Sequence, residues 1–533
     1  MLKILRMPKF RYYKVLVMLC LIQQVLWVSN SYGEDKKMLL GVNWKPDTTL
    51  IKLPDIFMAD SARLSLGKNL QRILGDQGYI RYPGGYYVQE FPLDLAEAEK
   101  NYKVPGYPIF YRFCKENDLK VMQQLPTSSM GQGINRKNIK ATIDGTVDWN
   151  LVDIIIAKTK SMVQWLKSNE YSENIIYWQI GNEDWIDGEG KLRPSEYVEI
   201  VARYIRAIKD FIPAEKILIV AQPGVRGGAY NWGYDVLKLL KERGLSNAIG
   251  GVTIHIYPYF LNRSQLDKPE LNFESYCLGD TVTQSFDSEF IKLSDALDTL
   301  EYHENVKIHI TETAVDIAGH VNDKGERWSF NNNRKNYAAA VAAVRGIMTL
   351  AGQKRWGGAA YYCLIHKYLV TAEKFNPTPW RGYPSVNDWG WGQCWYLPEQ
   401  TSNNFLNTPL LEAWALLGMF FNGASRTRQL ASQDCQAYMS IESKSPTVRL
   451  FLFNPTNKQI TINLSGSAKG VRLGDGNLNR RAIKMGSYGD IKDLTPLYPE
   501  DIPLLGKVVI PAYGILFARG DGLIFNGNKI TPD

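Results

Sequence analysis

Two apolar runs of the chain stop at an acid. IIYWQIGNE (Ile175–Glu183) closes on Asn182 and Glu183, and VKIHITET (Val306–Thr313) carries Glu312 near its end. Carboxylates on two separate elements can share a hydrolysis, one handing over a proton while the other attacks or activates water. Other runs end in polar or aromatic groups: Trp44 after MLLGVN, Arg81 in GYIRYPGG, Gln124 in LKVMQQLPT, His255 and Tyr257 in GVTIHIYP. An Arg beside a carboxylate keeps it ionised, the state a nucleophile needs. Each residue also has an ordinary reading. Gly-Asn-Glu can be a plain turn, Arg81 can pair with a surface acid, His255 can be a satisfied core histidine, and Glu312 can cap the next helix. Those readings lose force together if one fold brings all the ends to a single rim.

The elements that must position them are short and regular. In order they are MLLGVNW (Met38–Trp44), GYIRYPGG (Gly78–Gly85), LKVMQQLPT (Leu119–Thr127), IIYWQIGNE, KILIVAQPG (Lys216–Gly224), GVTIHIYP (Gly251–Pro258), VKIHITET and GAAYYCLI (Gly358–Ile365). Between them lie segments with apolar residues at helical spacing, such as LVDIIIAKTKSMVQWLKSN and SEYVEIVARYIRAIKDF. Strands alternating with helices predict a parallel sheet, and eight units predict a (β/α)8 barrel, with an open doubly wound sheet as the alternative. In the barrel, strand ends line one mouth. Period two puts Thr253, His255 and Tyr257 on one face of the sixth strand.

Beyond the helical pattern Pro409–Ala424 the chain changes character. QAYMSIES, TVRLFLFN, QITINL and VVIPAYGILFARG alternate like antiparallel strands and predict an all-β sandwich over residues 425–533, after a barrel over 34–424. The N-terminus reads as an export signal. Lys3, Arg6, Lys9, Arg11 and Lys14 precede the apolar run Val15–Val28, and small residues follow to Gly33. Cleavage near Gly33 gives a secreted or periplasmic protein with no integral membrane span left. The first 33 residues hold five Lys and Arg and no acid, so the formal charge of +8 falls to +3 without them, which argues against a nucleic-acid partner. Five Cys remain at wide spacings, and none of the five His forms an HExxH or HxxxH pair. No CxxC and no phosphate-cradling GxxxxGK[ST] loop occurs either, so the reading calls for neither a metal nor a cofactor.

RYPGG after the second run, GNE after the fourth, HIY in the sixth and ITE in the seventh resemble the clan A retaining (β/α)8 glycoside hydrolases, closest to the arabinofuranosidase-like and heparanase-like branches. The resemblance implies that Glu183 is the acid/base and Glu312 the nucleophile, their carboxyl groups about 5–5.5 Å apart. It implies that Asn182 holds the sugar hydroxyl beside the reacting carbon, that Arg81 bonds the nucleophile, and that His255 and Tyr257 lie next to it. Two features differ from the arabinofuranosidases: Thr311 and Thr313 flank Glu312 where those have an acid and an aromatic, and little chain precedes the barrel to join the sandwich.

The partner implied is a carbohydrate. Trp44 and Gln124 at the rim, with Trp391 or Trp395 from the long loop Phe375–Gln400, are expected to contact it, because sugar rings stack on indole faces. The loop can floor a cleft for endo action or wall off a pocket for exo action by an α-L-arabinofuranosidase. A catalytically silent glycan-binding barrel is the reading from a different class. Arg81→Ala is expected to cut turnover and leave the fold in place.

Overall fold

The structure, a computed structural model, describes residues 38–44, 60–258, 278–362 and 395–530, short stretches inside those spans and the longer stretch 475–499 excepted. The export segment and Trp391 lie outside the described residues. Residues Lys37–Asp533 form one compact unit.

Each of the eight runs forms a strand. They are β1 (Leu39–Asn43), β2 (Tyr79–Tyr82), β3 (Lys120–Leu125), β4 (Ile175–Ile180), β5 (Ile217–Val220), β6 (Gly251–Ile256), β7 (Lys307–Thr313) and β8 (Trp356–Tyr361). All neighbours pair in parallel, and β1 pairs with both β2 and β8, so the barrel is closed and the open-sheet alternative falls away. Among the described residues a helix of ten or more residues follows each strand: α1 (Asp60–Leu74), α2 (Tyr107–Glu116), α3 (Trp149–Ser168), α4 (Pro194–Ile208), α5 (Trp232–Glu242), α6 (Asp280–Thr299), α7 (Tyr337–Thr349) and α8 (Pro409–Phe421). Their starts are written in the sequence. Asp148 and Asn231 cap α3 and α5 by accepting from Leu151 N and Tyr234 N, and Pro108 and Pro194 sit in the first turns of α2 and α4.

Alternation along the strands sorts the barrel into layers. Leu39, Tyr79, Met122, Leu218 and Ala360 make a small apolar cluster inside it, while Leu40, Val42, Ile80, Val121, Ile219 and Ile254 face the helices. The inner cluster plugs the barrel. Polar residues are left to its C-terminal end.

After α8 the chain builds an antiparallel sheet of seven strands: β9 (Ala424–Leu430), β10 (Gln436–Glu442), β11 (Val448–Phe453), β12 (Ile460–Leu473), β13 (Glu500–Ile510), β14 (Ile515–Phe525) and β15 (Asn528–Lys529). Period two divides its burden. Phe451 and Phe453 join the core shared with α8, and Leu450 and Leu452 face a second core with Leu464, Val508, Leu516 and Phe525. Register shifts between Ser465 and Lys469 let the long β12 bend over that second core, which gives the predicted sandwich. The barrel-closing helix is tied to the sheet: Ser440 Oγ donates to Phe420 O at 2.6 Å and Arg449 donates to Asn422 O at 2.7 Å. Among the described residues no helix is long and apolar enough to cross a membrane.

Candidate active site

The barrel mouth gathers polar side chains from the strand ends around Arg81, whose side chain has no solvent exposure. Its NH1 donates to Glu312 Oε1 at 2.6 Å and Asn43 Oδ1 at 2.7 Å, its Nε to Gln179 Oε1 at 2.7 Å, and its NH2 to Asn182 Oδ1 at 2.6 Å. Glu312 arrives through an irregularity. Strict alternation along KIHITET would turn it outward with Ile308 and Ile310. Ile254 pairs with Ile310 but His255 pairs with Glu312, and this register shift turns the carboxylate inward.

Glu312 Oε2 accepts from the Tyr257 hydroxyl at 2.6 Å, and His255 Nδ1 lies 3.6 Å from it. Burial by itself would raise the Glu312 pKa. His255 when protonated, the Arg81 guanidinium, and the hydrogen bonds from Tyr257 and Arg81 outweigh burial and hold it below the usual carboxylate range. Burial also pushes the Tyr257 phenol well up, helped by Glu312, so it stays a donor. Gly85, at φ 57°, makes the approach possible: a Cβ there would sit 3.0 Å from the Tyr362 hydroxyl and 3.4 Å from Glu312 Oε1.

Glu183 faces this group from the other side. Its Oε1 shares a hydrogen bond with His255 Nδ1 at 2.8 Å, and its side chain is 20% exposed against 4% for Glu312. An oxygen of Glu183, one of Glu312 and a ring nitrogen of His255 all lie within 4.8 Å of one another. Gln222 holds the His255 backbone from both sides, accepting from its N–H at 2.9 Å and donating to its carbonyl at 3.1 Å. The same three side chains are a set that could gather around a cation. Arg81 and Tyr257 already occupy both oxygens of Glu312, and the guanidinium opposes a second positive charge there. The set therefore suits acid–base and nucleophilic work better than metal binding.

The turn carrying Glu183 rests on a buried acid. Asp184 accepts from Asn182 N at 3.0 Å and from Thr127 Oγ1, and burial lifts its pKa to about 6 against the pull of these bonds. Gly181 is needed because a Cβ there would meet Asp184 Oδ2 at 2.0 Å. Gln124 donates to Asn182 Oδ1 at 3.1 Å and accepts from Gly84 N at 2.8 Å. It thus acts on the mouth by holding these two groups.

Trp44 is a correction. Its side chain is 0% exposed and packs on Phe110 and Phe113 of α2, with ring centroids 5.3 and 6.5 Å away, so it belongs to the strand–helix layer and offers no face at the mouth. Alternation explains the slip: Leu39, Gly41 and Asn43 point in, so the rim residue is Asn43, one position earlier. Trp44→Ala is expected to cost about 3–5 kcal/mol of unfolding free energy, the range for emptying a buried Trp site, and to leave ligand affinity unchanged. Urea unfolding and a binding titration on the folded variant check both parts. Trp395 lies in a two-residue strand paired with Leu406–Asn407, and its side chain is outside the described residues. Asn43, Gln179, Asp184, Gln222 and Tyr362 complete the site without having been singled out from sequence.

No protein-family model matches the chain, and no curated protein matches it. Solved structures do. An arabinofuranosidase superposes with a TM-score of 0.54 at 13% identity, over 91% of this chain and 97% of that one. The family 51 α-L-arabinofuranosidase from Bifidobacterium longum gives 0.53 at 13% identity, over 91% and 95%. A bifunctional glucanase-xylanase from a metagenome library gives 0.50 at 12% identity, over 91% and 99%. The likeness is one of fold. It extends over nearly the full length of each partner, so barrel and terminal sheet are shared together.

Proposed function

We propose that the protein is a secreted retaining glycoside hydrolase with Glu183 as acid/base and Glu312 as nucleophile. The observation that carries this reading is the unequal environment of two close carboxylates: Glu312 is buried and held toward the ionised form by His255, Arg81 and Tyr257, while the more open Glu183 shares a hydrogen bond with His255. The approach of their oxygens to within 4.8 Å supports the short carboxylate separation of a retaining enzyme. Fold likeness to an arabinofuranosidase and to a glucanase-xylanase supports a glycan substrate. The basic-then-apolar N-terminal segment supports export.

In the first step a Glu312 oxygen attacks the anomeric carbon and the glycosidic C–O bond breaks. Glu183 gives its proton to the departing oxygen, and a glycosyl ester remains. In the second step Glu183 takes a proton from water, the resulting hydroxide attacks the same carbon, and Glu312 leaves as a carboxylate. His255 Nδ1 can accept from protonated Glu183 and, with its own proton, donate to the ionised form, so one contact serves both steps. Asn182 presents its oxygen to Arg81 and Gln124, which fixes the orientation of its amide beside Glu183.

A panel of polysaccharides and arabinose-bearing oligosaccharides tests the reading, with product lengths and anomeric configuration followed by proton NMR. A ladder of oligosaccharides identifies an endo-glycanase; release of single arabinose units identifies an exo-acting α-L-arabinofuranosidase. First-formed products with inverted configuration would overturn the double displacement, and binding without hydrolysis across the panel would leave a glycan-binding barrel.

A further inference from the structure

A buried guanidinium must find acceptors, and those of Arg81 differ in charge. Glu312 is a carboxylate; Asn43, Gln179 and Asn182 are neutral amides. Two of the amides have their other end fixed as well. Gln179 Nε2 donates to Gly181 O at 3.1 Å, and Asn43 Nδ2 donates to Thr311 O at 2.8 Å, beside Glu312. Both carbonyls need a donor, which a carboxylate lacks, so backbone at two strand ends selects an amide at each position. We propose that Gln179 and Asn43 are positioning residues that satisfy Arg81 without sharing its charge, leaving the whole positive charge to act on Glu312. If Glu312 is the nucleophile, this is what keeps it ionised while Glu183 holds a proton.

The other titratable groups around Arg81 do not divide its charge either. On the β6 and β7 side stand His255 and Tyr257, with Glu183 beyond His255. Lower in the barrel are Tyr79, Tyr177 and His309. Burial keeps the two phenols protonated, Tyr177 being pushed up to about 12, and holds His309 down to about 3, hence neutral.

Gln179→Glu places a competing carboxylate on Nε, and Gln179→Leu removes the Nε acceptor. With side-chain carboxyl carbons of Glu labelled with 13C, the Glu312 resonance is assigned by its absence in Glu312→Gln and titrated by NMR. Its midpoint is expected to rise by about one pH unit in Gln179→Glu, a tenfold change in ionisation, and by less in Gln179→Leu. The acid limb of the kcat/KM profile is expected to move with it. A merely structural role would lower the melting temperature and leave the titration in place. Asn43→Asp repeats the charge test from the other side if a Gln179 variant does not fold. An unchanged Glu312 midpoint in the folded variants overturns the proposal. Because NMR needs no turnover, failure of the glycosidase reading appears separately, as an inactive wild-type protein with the same titrations.

Discussion

Glu312→Ala is expected to lose turnover by about 10⁵-fold or more, the scale seen when a covalent nucleophile is deleted. Among the described residues the site is buried, and Glu183 is already engaged by His255 across the mouth, so no neighbouring carboxylate stands in the place of Glu312. The cavity left behind keeps the Arg81 guanidinium and the Tyr257 hydroxyl, a natural seat for a small anion. Azide should therefore restore turnover in this variant, attacking the anomeric carbon directly and giving an inverted glycosyl azide. Glu183→Ala should behave differently. If Glu183 is the acid/base, its loss costs about 10²–10⁴-fold on a sugar leaving group and little in the first step on an activated phenol. The second step then lacks its base, and azide should relieve it with overall retention. Both outcomes are read from the configuration of the azide product. The reverse pattern would exchange the two roles, and full activity in either variant would remove the glycosidase reading.

What was legible in the sequence follows from which interactions are local. Strand and helix periods are local, so all eight strand runs of the barrel fell where predicted, and the switch to antiparallel strands after Ala424 was visible as a change of pattern. Side-chain direction at a strand end is less local. Trp44 was placed at the mouth because it closes an apolar run, although alternation with Leu39 and Gly41 favours Asn43. Glu312 shows the opposite case: alternation alone turns it toward the helices, and only the register shift opposite His255 brings it beside Arg81. Gln179 and Asp184 carried no signal of their own. A Gln inside an apolar strand gains meaning only when Arg81 from another strand meets it, and an acid in a turn looks exposed until Thr127 and the Asn182 amide close over it.

Arg81→Ala is expected to lower unfolding free energy by about 3–5 kcal/mol, as removing one member of a buried pair leaves the other charge uncompensated. The fold is still expected to form, but at this cost, and complete burial of the guanidinium is the reason. The effect should depend on pH with a definite sign. In the wild type the folded pKa of Glu312 is depressed, so the pair contributes stability above the unfolded carboxylate pKa and loses it as pH falls through the folded value. In the variant the Arg81 contribution is gone while burial, His255 and Tyr257 remain, so the folded pKa of Glu312 should rise from its wild-type position. Relative to the wild type, the variant then suffers most at high pH and recovers as Glu312 takes up a proton on acidification. The gap between the two proteins should consequently narrow from pH 7 toward about pH 4, where an unperturbed Glu is half protonated. Arg81→Lys restores a charge without the planar fork, so it should recover part of the stability but not the simultaneous hold on Asn43, Gln179 and Asn182. Its turnover should stay well below wild type for that reason. Urea unfolding at several pH values on all three proteins decides the matter. A difference for Arg81→Ala below about 1 kcal/mol and flat with pH would mean that Arg81 does not compensate the buried charge of Glu312, since such a value is typical of an exposed pair.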